Sequence, residues 1–581
     1  MLFTFGNAVQ FTKNREQERT ILMKRSARYL LTLVVAMGTT FAAVSLARAE
    51  TCTLEIKRLE SRTSFSPSDY IYRATMPQSF NAQIGPEGKS RISFGGQEDM
   101  TASFKRIVKQ EPKYESEHPF RGVAKFGSQE YAFVLDEAIP ESEKKKAEAE
   151  EKDAKAQTED AKSDAKETKS DSALAKLKDS LLQALSPSDQ EKTGKQIKAI
   201  VFNRLYFDFN RNGDLTDDKV IEAEQMPGRI PMSSSSIYSQ FQFPRVDITI
   251  DADGTPLDYA FFLRGYVNSS RDFSYAGIQI NSAAYREGDI TLDGKKRHLV
   301  LIDFNSNGRF DDEIKISDTI RRSGGQLYPQ QGDMLLVDPD QAGSRGFTSP
   351  YEATSNTYQH YVSKMVDIDG SYYDLKISPA GDKLTLIPAS VTLGKVTNPN
   401  DRFSAVIYGD NGFLKISGNK DTPISIPAGE WKLLSYTIDL TNAPEPSKPA
   451  EKKEESKKSS GLEALGKALE SVLYGAAPSS PFGRRNSHVT AQATAKYTPI
   501  KVLEGQTVEL SFGPPYKPVV TVDYIQGGNN NKQAQLGMSL TGSAGEVVSD
   551  MMVNGGRPSK PEFTIKDSKG EIVQNGSFEY G

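Results

Sequence analysis

Four turn dipeptides limit what this chain can fold into more than any feature of its composition. Asp253-Gly254, Asp293-Gly294, Asp369-Gly370 and Asn411-Gly412 each stand between short runs rich in β-branched and aromatic residues or alternating apolar and polar ones. Asp-Gly and Asn-Gly tolerate the positive φ angles of the tight two-residue turn that joins twisted antiparallel strands, so each pair is a hairpin signal. Residues 246–250, 375–377, 384–387 and 520–522 read as strands on the same grounds. Helical periodicity is scarce outside 173–185 and 461–473, where leucines recur at helical spacing. The expected fold class is mainly β: multidomain antiparallel β-sandwiches or partial barrels, with two disordered charged linkers and short amphipathic helices.

The linkers follow from composition. Residues 141–169 are almost entirely Lys, Glu, Asp, Ala, Ser and Thr, and 443–459 add Pro to that mixture, too polar to bury a core. They divide the chain into a first β region at 50–137, a linker with a short helix at 138–197, a β-rich region at 198–442, a second such linker at 443–495, and a C-terminal β-sandwich at 496–581. Strand runs near 507–512, 519–524, 535–540, 563–565 and 571–573 give that last segment its sandwich character, and the pattern resembles immunoglobulin-like or transthyretin-like accessory modules.

Residues 1–49 have the layout of an export signal. Lys24, Arg25 and Arg28 precede an apolar run over 29–46, and Ala47-Arg48-Ala49 supplies a small-x-small cleavage site, with Met23 as a candidate start. The run approaches the length of a membrane span, but Gly38, Thr39 and Thr40 interrupt it, so cleavage is favoured over an uncleaved anchor. Cys52 lacks the Leu-Ala-Gly context of a lipidation box, and as the one cysteine it excludes an intramolecular disulfide. A periplasmic, extracellular or cell-surface location is expected, with no membrane span after cleavage. A net charge of -4 offers no electrostatic case for nucleic acid.

Two loops share one spelling: Asp208-Phe209-Asn210-Arg211-Asn212-Gly213-Asp214-Leu215-Thr216-Asp217-Asp218, and Asp303-Phe304-Asn305-Ser306-Asn307-Gly308-Arg309-Phe310-Asp311-Asp312-Glu313. Side-chain oxygens at the first, third and fifth positions, with carboxylates downstream, can converge on a hard cation such as Ca²⁺. The sixth position must turn sharply, which glycine permits. In an EF-hand the twelfth position is a bidentate Glu, whereas here it is Lys219 or Ile314, and the runs before the loops, 205–207 and 299–302, read as strands. A strand leading into this spelling resembles the calcium loops of FG-GAP propeller blades, and its first half is similar to dockerin and thrombospondin type 3 repeats.

That resemblance covers about a dozen residues per copy, and it implies calcium, not a whole fold. The ligands it implies are Asp303, Asn305, Asn307, the carbonyl of Arg309, and Asp311, with Asp312 or Glu313 next in line. In the first copy they are Asp208, Asn210, Asn212 and the carbonyl of Asp214. There Thr216 occupies the ninth position, and Asp217 and Asp218 follow it. The second loop is therefore expected to be the better site, and so few carboxylates predict a weak affinity, on the order of 10⁻⁴ to 10⁻³ M. The competing account is that Asp and Asn beside Gly make tight turns by bonding their own backbone.

A faint repeat accompanies the loops: residues 122–135 lead across the first linker to the Asp208 loop, and 288–301 lead directly into the Asp303 loop. No H-E-x-x-H, C-x-x-C, G-x-S-x-G, P-loop or Rossmann signature occurs, and His118, His298, His360 and His488 have no metal-ligand spacing. Asp367 and Asp369 could serve glycoside hydrolysis, but a hairpin turn explains them. Tyr351, Tyr358, Tyr361, Tyr372 and Tyr373 could line a sugar-binding surface or simply pack. The function expected is an exported, envelope-associated binding or structural protein with calcium-stabilised loops, whose partner is a protein or polysaccharide of the cell envelope. The alternative is a secreted carbohydrate-active enzyme.

Overall fold

The structure is a computed structural model that describes residues 49–138, 200–441 and 487–580, except 61–70, 72–73, 85–89, 92–99, 117, 225–229, 234–235, 271–273, 322–324, 340–349, 352–357 and 527–531. The export signal and both low-complexity segments with their amphipathic runs lie outside the described residues. Three of the four turn dipeptides form the predicted hairpins. Ala252 pairs with Thr255, Leu292 with Lys295 and Ile368 with Ser371. The intervening Asp253, Asp293 and Asp369 have φ of 50°, 49° and 53°. At the fourth, Gly409 pairs with Gly412, so the turn residues are Asp410-Asn411, one position earlier than the dipeptide indicates.

The protein is mainly β, built from antiparallel sheets. A seven-stranded sheet is centred on the long strand Thr255–Ser270, which pairs with Ser236–Gln242, Val246–Ala252 and Ser274–Ser282. A five-stranded sheet runs Gln359–Tyr361, Met334–Val337, Lys295–Ile302, Ala284–Leu292, Glu55–Arg58. A four-stranded sheet runs Phe120–Phe126, Gln129–Asp136, Arg204–Phe207, Ile221–Glu222. Val246–Ala252 alternates between buried and more exposed residues along its length, the mark of a sheet with one face on a core. That core runs from Cys52 to Leu386, and within it Phe126, Tyr131, Phe207, Tyr259 and Phe261 form a chain of stacked, tilted and edge-on ring pairs at centroid distances of 5.1 to 5.8 Å.

Strand pairing crosses the expected domain limits. Glu50–Thr53 pairs with Lys383–Pro388 and Gln78–Ile84 with Ser274–Ser282, so the regions expected at 50–137 and 198–442 share sheets. Gln129–Asp136 and Arg204–Phe207 are antiparallel neighbours, which makes the first charged segment an insertion between paired strands. The strand His488–Gln492, inside the expected second linker, pairs with Gly429–Asp439 on one side and Val547–Met552 on the other. One eight-stranded sheet thus includes residues from both sides of the limit expected near 496, over a shared core of Trp431, Tyr436, Tyr497 and Phe512. Composition marks where a chain leaves a sheet and says nothing about which strands it rejoins. Leu393–Thr397 and Thr507–Glu509 form a parallel pair within this otherwise antiparallel region. Among the described residues no helix is long and apolar enough to cross a membrane.

Candidate cation loops

The first loop starts where Arg204–Phe207 leaves its sheet. Asp208 is fully buried, and the Gly213 N–H donates to its Oδ2 at 3.1 Å. The following residues form a ladder of side chain to backbone bonds: Asn212 N–H to Asn210 Oδ1 at 2.9 Å, Asp214 N–H to Asn212 Oδ1 at 2.6 Å, and Thr216 N–H to Asp214 Oδ1 at 2.9 Å. These are the Asx turns expected of such a sequence. Gly213 has φ of 81° and its carbonyl accepts the N–H groups of Lys109 and Gln110 just beyond the helix Met100–Ile107. A Cβ there would run into the Ile107 carbonyl.

What the ladder leaves over is negative charge. Asp208 Oδ1 and Asp218 Oδ2 are buried atoms with no hydrogen-bond partner. Burial pushes the Asp208 carboxyl up, opposed by the amides of Gly213, Arg211 and Asn212, with Asp217 adding repulsion. Asp218 is pushed up to about 6 by burial and by the charges of Asp208 and Asp217. Asp217 accepts from Asn212 Nδ2 at 2.8 Å.

The second loop starts where Lys295–Ile302 ends. Asp303 is again fully buried and accepts from Asn307 N–H at 3.1 Å, Gly308 N–H at 2.7 Å and the Tyr259 hydroxyl at 2.7 Å. The ninth position is Asp311. It is held by a two-pronged Arg309 fork at 3.0 and 2.9 Å, and the same guanidinium reaches Asp253 at 2.7 Å. Asp312 accepts the side-chain amides of Asn305 at 3.0 Å and Asn307 at 2.6 Å. Asn305 Oδ1 is the buried side-chain oxygen left without a partner in this loop.

Two residues at this loop were not legible as part of it. Asp333, fully buried, accepts the N–H groups of Phe304 at 3.0 Å and Asp312 at 2.9 Å, and Tyr259 comes from the neighbouring sheet. Asp333 did carry one signal, a carboxylate directly before the apolar strand Met334–Val337. Burial, then the charges of Asp303 and Asp312, pushes Asp333 well up, and burial pushes Asp303 up to about 7. The loop is also a junction: Phe304, Asn307, Phe310, Asp312 and Ile314 exchange backbone bonds with Met76, Gly127, Pro379, Asp333 and Val362.

Among the described residues, no three His, Cys, Asp or Glu side chains stand close enough together to form a metal cluster as they are. The histidines are dispersed, with His298 against Asp289 at 3.3 Å and His488 against Asp550 at 2.9 Å. Asp367 caps its turn through the Gly370 N–H at 2.8 Å, and Asp369 pairs with Arg297. Tyr361 and Tyr373 are buried, while Tyr351, Tyr358 and Tyr372 pack against cores, so these tyrosines form no open platform. A cleft of about 470 Å³ lies beyond the second loop, lined by Glu313, Lys315, Lys364, Asp410, Glu430 and Lys432 among others. No protein-family model, no curated protein and no solved structure matches this chain.

Proposed function

We propose that the chain is an exported, envelope-associated binding or structural protein in which calcium at strand-end loops clips β-sheets together. Asp208 carries this reading: a carboxylate without solvent exposure has an oxygen that accepts no hydrogen bond, in a loop with three further aspartates. An uncompensated buried carboxylate is costly, and a hard cation that prefers oxygen ligands offsets that cost. The backbone bonds at the second loop support a structural rather than a catalytic role, since that loop joins segments far apart in the chain. The partner fitting an exported protein of this kind is a protein or polysaccharide of the envelope. Calcium titration of the mature chain by calorimetry, with thermal melts in calcium and in chelator, tests the reading. At a hundredfold excess over the dissociation constant, calcium should add about 2.7 kcal/mol of stability. Neither heat nor a melting shift at millimolar calcium would remove the calcium clip.

The alternative, a secreted carbohydrate-active enzyme, has the cleft in its favour, because Glu313, Asp410 and Glu430 all line it. Glycoside hydrolysis needs one carboxyl held protonated by an apolar setting. Here Lys315, Lys364 and Lys432 share the lining, so the setting is a polar cleft of mixed charge and not an apolar one. Hydrolysis of an envelope polysaccharide that Glu313→Gln or Glu430→Gln abolishes would establish the enzyme instead.

A further inference from the structure

The two loops share a spelling, yet their charges are met in different ways. In the second loop the acids are engaged by donors from the protein. Asp311 is neutralised by the Arg309 fork, Asp312 takes two side-chain amides, Asp333 takes two backbone amides, and Asp303 takes two amides and a tyrosine hydroxyl. The oxygen left over belongs to Asn305, a neutral amide. A guanidinium held in this way neutralises the ninth-position carboxylate and occupies the oxygens that it would otherwise offer to a metal ion.

In the first loop the nearby cationic side chains meet a ring and a backbone carbonyl in place of the carboxylates. Arg211 lies over the Tyr131 ring with its guanidinium carbon 5.7 Å from the centroid, and Lys109 Nζ donates to the Asn212 carbonyl at 2.9 Å. Among the described residues no salt bridge reaches Asp208, Asp214, Asp217 or Asp218. The oxygens left over are carboxylate oxygens, Oδ1 of the fully buried Asp208 and Oδ2 of Asp218, and Asp218 feels the charges of both Asp208 and Asp217. Charged oxygens attract a divalent cation far more strongly than a neutral amide does.

We infer that the loops are not equivalent: calcium is taken first and more tightly by the Asp208 loop, with Asp218 as the closing carboxylate, while the Asp303 loop is closed by Arg309 and the protein's own amides. This rests on the calcium reading and reverses the ranking expected from the ninth position, where Thr216 stands against Asp311. Asp218 lies two residues beyond Thr216, so the loop closes from a position that the motif spacing does not mark.

The test titrates calcium chloride into the intact mature chain and two variants, Asp218→Asn and Asp312→Asn, both at partly exposed positions. Loss of one carboxylate ligand should weaken the tighter binding event about tenfold or more in Asp218→Asn and leave it within about twofold in Asp312→Asn. A third variant, Asp208→Asn, should melt higher than the wild type in chelator, because a buried charge with one unpartnered oxygen is removed, and should lose the calcium-induced shift. The reverse pattern, or two wild-type events of equal affinity, overturns the inference while leaving the calcium reading in place. A wild-type chain that takes no calcium overturns both.

Discussion

Tyr259 donates its hydroxyl hydrogen to Asp303 Oδ2 at 2.7 Å, and neither side chain is exposed. The bond joins the fifth residue of the long strand Thr255–Ser270 to the first residue of a loop at the end of Lys295–Ile302. It is a hydrogen bond to a buried carboxyl, a class that contributes about 1.5–3 kcal/mol when the acceptor is charged. Tyr259→Phe should lower stability by that amount in chelator, read as a shift in denaturant midpoint with an unchanged slope. A shift under about 0.5 kcal/mol would mean that the Gly308 amide alone satisfies the oxygen.

Stability in chelator should fall as pH rises from about 4 to 8. Asp303 is pushed up to about 7 and Asp333 is raised by burial and by Asp303, so the folded chain holds protons that the unfolded chain releases near its ordinary carboxyl range. A carboxyl with a raised folded pKa favours the folded state at low pH, and that contribution is lost as pH passes through the folded value. Denaturant midpoints at pH 5 and pH 8 should show the fall in wild type, and Asp333→Asn should flatten it. An equal slope in the two proteins would place the titrating groups elsewhere.

Gly308 is required twice over. Its φ is 77°, and a Cβ would lie 2.5 Å from Ile250 Cδ1 and 3.1 Å from the Gly127 nitrogen. Gly308→Ala should cost about 2–4 kcal/mol, the sum of left-handed strain and overpacking. Gly254, with φ of 86° and nothing within 4 Å of its would-be Cβ, isolates the first term, so Gly254→Ala should cost about 1–2 kcal/mol. Chemical denaturation of the two variants checks the difference.

Arg309→Gln should turn the second loop into a better calcium site. Removing the guanidinium frees Asp311 at the ninth position, and calorimetry should show about tenfold tighter binding there. The same variant should lose about 1 kcal/mol in chelator, because Asp253 and Asp311 both lose their partner. An unchanged isotherm would show that Arg309 does not compete with the cation.

Much of the fold was legible locally. Asp253-Gly254, Asp293-Gly294 and Asp369-Gly370 announce hairpins because a positive φ at two successive residues is expensive for most others. The strands before both loops are equally plain, since Leu205 to Phe207 and Leu299 to Ile302 are apolar runs of strand length. The tyrosines near 351–373 were ambiguous because aromatic residues suit a strand whichever face they occupy, and only packing decides.

The amino-acid order by itself determined the turns, the alternation along strands and the oxygen-rich spelling of both loops, because each depends on residues within a few positions of one another. The tertiary structure alone decided that His488–Gln492 joins a sheet begun before the second charged segment, and that Tyr259 and Asp333 meet Asp303. It also decided that Arg309, the seventh residue of its loop, reaches Asp253 as well as Asp311, while Arg211, the fourth residue of the other loop, lies over Tyr131. These are contacts between segments brought together by burial of a common core, and burial rewards apolar area without naming the partner that supplies it.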